Sequence, residues 1–129
     1  MAKESIKLAG QSGLAIAASV EGASDGMPVI LAHGGGQTHR AWKRVSTLLA
    51  SHGFHAIALD LRGHGTSEWA KDGAYGIADF AGDLIAIAAR LERKPALIGA
   101  SLGGLAGIKA EGHLAPGSFA SLTLVDVTP

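Results

Sequence analysis

Hydrophobic positions in this chain come in two kinds of run, and the two kinds alternate. Short apolar stretches occur at 29–32, 56–59, 96–99 and 122–125. Runs of this length, with little polar interruption, predict strands covered on both faces. Between them, apolar residues recur at helical spacing. Trp42, Val45, Leu48 and Leu49 fall on one face, with Arg40, Lys43 and Arg44 off it, and Gly53 is a natural stop. Ile77, Phe80, Ala81, Leu84, Ala88 and Leu91 predict a longer helix. Asp79 and Asp83 lie in its first half and Arg90 and Arg93 in its last turn, as its dipole favours. Residues 102–110 predict a short helix. Ahead of all these, 5–8 and 14–20 read as two strands around the turn Gly10-Gln11-Ser12-Gly13, hence a hairpin.

The order is a hairpin, then strand–helix units, then a last strand. Such alternation predicts an α/β fold with a sheet of about six mostly parallel strands and helices on both faces. A chain of 129 residues makes one domain, 1–129. Ligands of open parallel sheets bind at the carboxyl ends of the strands, and three notable motifs fall there.

Composition narrows the function classes. The chain is 47% hydrophobic and 17% charged, so it can bury a core. Formal net charge is zero, which argues against a nucleic-acid or acidic-membrane footprint. With no cysteine there is no disulfide, thiolate-metal or thiol redox chemistry. The first residues carry Lys3 and Glu4 and no apolar run behind them, unlike a secretory signal. No stretch suits a bilayer span. The expected setting is the cytoplasm.

The first motif is Gly99-Ala100-Ser101-Leu102-Gly103, between an apolar strand and a predicted helix. A nucleophilic serine needs such a strand-to-helix turn, and Gly99 and Gly103 remove side chains that would clash within it. The helix start offers the Leu102 amide to an oxyanion. The second motif is His33-Gly34-Gly35-Gly36, directly after the strand 29–32. Glycine amides there can approach a substrate oxygen, and Gly35 is the expected second oxyanion donor. His33 is read as a brace for this loop. The third motif is Asp60-Leu61-Arg62-Gly63-His64-Gly65-Thr66-Ser67, after the strand 56–59.

Taken together, the three motifs resemble the amino-terminal part of an α/β-hydrolase-fold protein, over about residues 6–129. In that family a His-Gly-Gly loop follows the third strand, D-x-R-G-x-G-x-S the fourth and the serine elbow the fifth. The resemblance implies structural roles for Asp60, Arg62, Gly63, His64 and Gly65. It also prunes subclasses. Haloalkane dehalogenases and epoxide hydrolases place aspartate at the elbow and dienelactone hydrolases place cysteine, whereas serine implies acyl transfer. Hydrolysis of small carboxylic esters through an acyl-enzyme at Ser101, without cofactor or metal, is the expectation.

The family's acid and base follow the nucleophile in the order Ser, Asp or Glu, His. After Ser101 this chain has one histidine, His113, and two acids, Glu111 and Asp126. His113 lies about ten helical residues on, roughly 15 Å from the helix start, too far to reach Ser101. Asp126 is the candidate acid and His39 the candidate base, so the triad is read as incomplete or substituted. The competing expectation is an inactive binding or assembly module that keeps the elbow. The strand 122–125 is uncharged and predicts a homodimer or strand exchange through its edge.

Overall fold

A computed structural model describes residues 3–127 of the protein, and each apolar run forms a strand there. The strands are β1 (Glu4–Ala9), β2 (Ala15–Glu21), β3 (Pro28–Ala32), β4 (His55–Leu59), β5 (Ala96–Ala100) and β6 (Ser121–Val125). The helices are α1 (Lys43–Ser51), α2 (Ile77–Ala89) and α3 (Leu102–Lys109). The sheet order is β1-β2-β4-β3-β5-β6. The hairpin β1–β2 is antiparallel and joins β4 antiparallel, while β4, β3, β5 and β6 run parallel.

Side-chain alternation along the parallel strands feeds two cores. Val29, Leu31, Ala56 and Ala58 pack on one face with Trp42, Val45 and Leu49. Ile30, Ala32, Ile57, Leu59 and Leu97 pack on the other with Phe80, Leu84 and Ile87 of α2 and Ala106 of α3. Strands covered on both faces need apolar residues at consecutive positions, which is why their pattern is continuous.

Four sequence expectations are corrected. Leu48 is 61% exposed, and Ser46 and Ala50 are buried in its place. At 100° per residue the arc centred on Trp42 and Leu49 takes in 46 and 50 and leaves 48 outside. Helix α2 ends at Ala89, so Arg90 is its cap and Arg93 lies beyond it. Asp83 is buried rather than displayed to the helix dipole. Strand β6 is not covered on both faces: Leu124 is 39% and Val125 43% exposed, because β5 is its only partner among the described residues. No helix of the described residues is long and apolar enough to cross a membrane.

The chain leaves β3 for β4 on one side and returns to β5 on the other. Strand order therefore reverses at β3, and a crevice opens at the carboxyl ends of β3 and β5. Those ends carry the His33 loop and Ser101.

Candidate active site

Ser101 has φ 50° and ψ −114°, a conformation costly for any residue with a Cβ. The turn is held from both sides. The Ser101 amide donates to Val125 O at 3.3 Å, and its carbonyl accepts from the Leu105 amide at 2.9 Å. A Cβ at Gly99 would run into the backbone of Gly103 and Gly104, and one at Gly103 into Ala32, so the tight turn demands glycine at both. Serine at a helix start ordinarily caps it with its hydroxyl. Here the Ser101 side chain makes no cap hydrogen bond and is exposed. The fold strains this residue and leaves its Oγ unengaged among the described residues.

The glycine loop lies against the elbow. The Gly103 amide donates to His33 O at 3.1 Å, and a Cβ on Gly34 would sit 3.3 Å from the Ser101 Cβ. Gly35 faces the Leu102 side chain, 3.8 Å from where its own Cβ would be. The loop amides divide by use. Gly34 donates to Gln37 Oε1 at 3.0 Å and Gly36 to His64 Nε2 at 3.0 Å. The Gly35 amide has no acceptor among the described residues, and the Leu102 amide opens α3, where no intrahelical acceptor exists. Among the described residues, two amides without acceptors thus lie on the two loops that meet at the Ser101 turn.

His33 is fully buried, with Nδ1 2.7 Å from Gly34 O and Nε2 accepting from the Leu61 amide at 3.0 Å. Burial, aided by the neighbouring His64, holds its pKa below the ordinary imidazole value despite the Gly34 carbonyl. A neutral ring with both nitrogens engaged is a brace.

The loop after β4 is equally occupied. Burial by itself would raise the Asp60 pKa, but the amides of His39 and Thr66 and the His39 ring outweigh it and hold the carboxyl below its ordinary value. Oδ1 accepts from the His39 amide at 2.7 Å and faces His39 Nδ1 at 2.9 Å; Oδ2 accepts from Thr66. Ser67 Oγ donates to the Asp60 carbonyl and accepts from the Ala17 amide, tying the loop to β2. Arg62 forms a two-pronged pair with Asp83, Nε to Oδ2 at 2.7 Å and Nη2 to Oδ1 at 2.8 Å. Those bonds raise the Arg62 pKa against the opposing effect of burial. Asp83 also accepts from the Gln11 amide, so one carboxylate joins α2, the β4 loop and the hairpin turn.

The remaining candidates lie apart from the hydroxyl. His39 is committed through Nδ1 to Asp60 and lines hollows shared with β1 and β2, and no hydrogen bond joins it to Ser101 among the described residues. Asp126 is exposed, with φ 56°, just past the β6 residue that pairs with Ala100. It therefore shares the rim with Ser101. His113 lies in the turn Ala110–Leu114, beside Lys109 Nζ. Sequence reasoning missed Asp83 and Gln37. Asp83 falls among Phe80, Leu84 and Ile87 on the apolar stripe of α2, which is the signal of a carboxylate needing a buried cation. Gln37 has only its spacing of three residues from Gly34 to mark it.

Comparison with known proteins agrees with this fold. A model of the alpha/beta hydrolase family matches residues 29–129. The chain belongs to the alpha/beta hydrolase family. It is 40% identical over 104 residues to an esterase of Mycobacterium tuberculosis, a match covering 78% of this chain and 33% of that protein. It is 33% identical over 109 residues to a non-heme chloroperoxidase of Streptomyces lividans, covering 84% of this chain and 39% of the relative. Among solved structures, an epoxide hydrolase from Vigna radiata superposes with a TM-score of 0.89 at 23% identity, over 98% of this chain and 41% of that one, a likeness of fold alone. These matches thus cover 33% to 41% of the length of the three proteins.

Proposed function

We propose that the chain carries the nucleophile and oxyanion-binding part of a serine hydrolase acting on small carboxylic esters. One observation carries this reading: Ser101 is held in a strained turn at a helix start, yet its hydroxyl caps nothing. Strain of about 1–3 kcal/mol persists at such a residue where the surroundings enforce it, commonly at sites of function. The esterase relative supports the substrate class.

In the proposed reaction the Ser101 hydroxyl adds to the ester carbonyl carbon, and its proton passes to a base. The amides of Gly35 and Leu102 hold the resulting oxyanion. Collapse expels the alcohol, which takes the proton, and water then cleaves the acyl-enzyme by the same route in reverse. No metal or organic cofactor takes part. His33 and His64 have both ring nitrogens engaged. His39 Nδ1 faces Asp60, which orients the ring, but no hydrogen bond joins His39 to Ser101 among the described residues. We therefore assign the base to an imidazole from another polypeptide segment, with Asp126, on the same rim, as the candidate acid that would orient it. His39 is the candidate within the chain. Replacing His39 with alanine separates the two: loss of turnover returns the role to His39, and unchanged turnover that rises with added imidazole supports an outside base.

A fluorophosphonate probe tests the nucleophile. Ser101 is expected to be labelled, and Ser101→Ala to lose all label and ester turnover. An unlabelled wild type sinks the enzyme reading and favours a binding or assembly module. The exposed β6 edge supports self-association through backbone pairing. Light scattering should show a dimer that Leu124→Lys shifts toward monomer; a clean monomer at high concentration counts against it.

A further inference from the structure

We infer that His64 is a positioning residue for the oxyanion site, acting with His33 as a reciprocal histidine latch between the loops after β3 and β4. The inference rests on the serine-hydrolase reading for its functional half and on hydrogen bonding alone for its structural half. Each histidine stands in one loop and accepts a backbone amide from the other. His33, before the glycines, accepts from Leu61 at 3.0 Å. His64, in the β4 loop, accepts from Gly36 at 3.0 Å. Each ring also faces a carbonyl of its own loop through Nδ1, His33 to Gly34 O at 2.7 Å and His64 to Arg62 O at 2.9 Å. The ring centroids are 5.0 Å apart.

The chemistry of these partners sets the tautomer. A carbonyl oxygen can only accept, so both Nδ1 atoms carry the proton. A backbone N–H can only donate, so both Nε2 atoms are bare acceptors. The latch exists only when both rings are neutral and in the same tautomer, since an imidazolium has no acceptor left for Leu61 or Gly36. Its place explains its purpose. The bonds to Gly34 and Gly36 fall immediately on either side of Gly35, the residue whose amide is left over. With its neighbours' peptide groups held, that amide is fixed toward the elbow, where Gly103 is bonded to His33 O at 3.1 Å. Preorganised donors stabilise a developing oxyanion because they need not reorient during reaction. Of the two rings, His64 is the informative one, because it reaches the loop from outside.

Nitrogen-15 NMR of the imidazoles in mildly alkaline buffer reads the structural half directly. Both rings are expected to show a protonated Nδ1 and an unprotonated Nε2; a proton on Nε2 of either ring overturns the latch. The functional half is read from the rate at which a fluorophosphonate labels Ser101, with amide exchange and melting temperature as companions. His64→Gln places an oxygen near the Nε2 position and should keep the Gly36 amide protected and labelling near the wild-type rate. His64→Asn reaches only the Nδ1 position. It should expose the Gly36 amide and slow labelling about ten-fold, less than the loss of an oxyanion donor outright. Labelling by His64→Asn at the wild-type rate overturns the positioning role. A wild type that never labels sinks the hydrolase reading and the positioning role together, while tautomers and exchange still decide whether the latch exists.

Discussion

The two halves of the rim at the carboxyl ends of the strands are built on opposite terms. On the β3–β4 side, His33, Asp60, Arg62 and Asp83 are buried, and each is hydrogen-bonded to named partners. On the β5–β6 side, Ser101 and Asp126 are exposed, both at positive φ, and the serine hydroxyl is unengaged among the described residues. Buried polar groups are mostly hydrogen-bonded, and hydrogen bonds hold them in place. Groups free to meet a substrate must sit where water can serve in its place. In the proposed reaction the braced half supplies position and the Gly35 amide, and the open half supplies the nucleophile, although both halves are rich in residue types that elsewhere do catalysis.

The comparison is broken most severely by disturbing the braced half. Asp83→Ala leaves the Arg62 guanidinium buried without its partner, and should cost about 3–5 kcal/mol in urea denaturation. Asp83→Ala combined with Arg62→Met should recover much of that, since the unpaired charge is what destabilises. The open half should respond in the opposite direction. Ser101→Gly relieves the turn strain but loosens the unfolded chain, and a net gain of about 1 kcal/mol in stability is expected, with all labelling lost. A loss of stability would mean that the turn is not strained.

The smallest effect is a pH dependence on the braced side. Folded His33 binds a proton less readily than an unfolded histidine. Its contribution is therefore fully present above the ordinary imidazole pKa of about 6.5 and declines as pH falls below it, because the unfolded chain then takes up the extra proton. Asp60 acts in a separate window. Its lowered pKa supports the fold above the ordinary carboxylate value of 3.8 and is lost below it. Denaturant midpoints of wild type and His33→Gln, compared at neutral pH and at pH values between these windows, should converge as pH falls. Parallel curves would show that His33 does not titrate in this way.

Much of this was legible in the order of residues. Strand runs and helical spacing sufficed for an α/β fold of about six mostly parallel strands, because continuous apolar runs fit strands covered on both faces, and the three motifs carried the resemblance to the α/β-hydrolase fold. The errors came where local pattern and tertiary position part company. Leu124 and Val125 look as buried as Leu31, but burial depends on what lies alongside, and β6 is an edge among the described residues. Asp79 and Asp83 share an acidic identity on one helix. The first caps it through the Gly76 amide, and the second is drawn inward by a guanidinium 21 residues away in sequence.

By itself, then, the sequence determined the fold, the order of the rim loops and the glycines that the elbow needs, since steric and hydrophobic constraints act over a few residues. Only the tertiary structure decided which polar groups are occupied. The six histidines are alike in the sequence. Folding gives His33 and His64 to backbone amides and turns His39 Nδ1 to Asp60, and leaves the hydroxyl of Ser101 without a partner among the described residues. Hydrogen-bond partners are assigned by distance across the sheet, not by position along the chain.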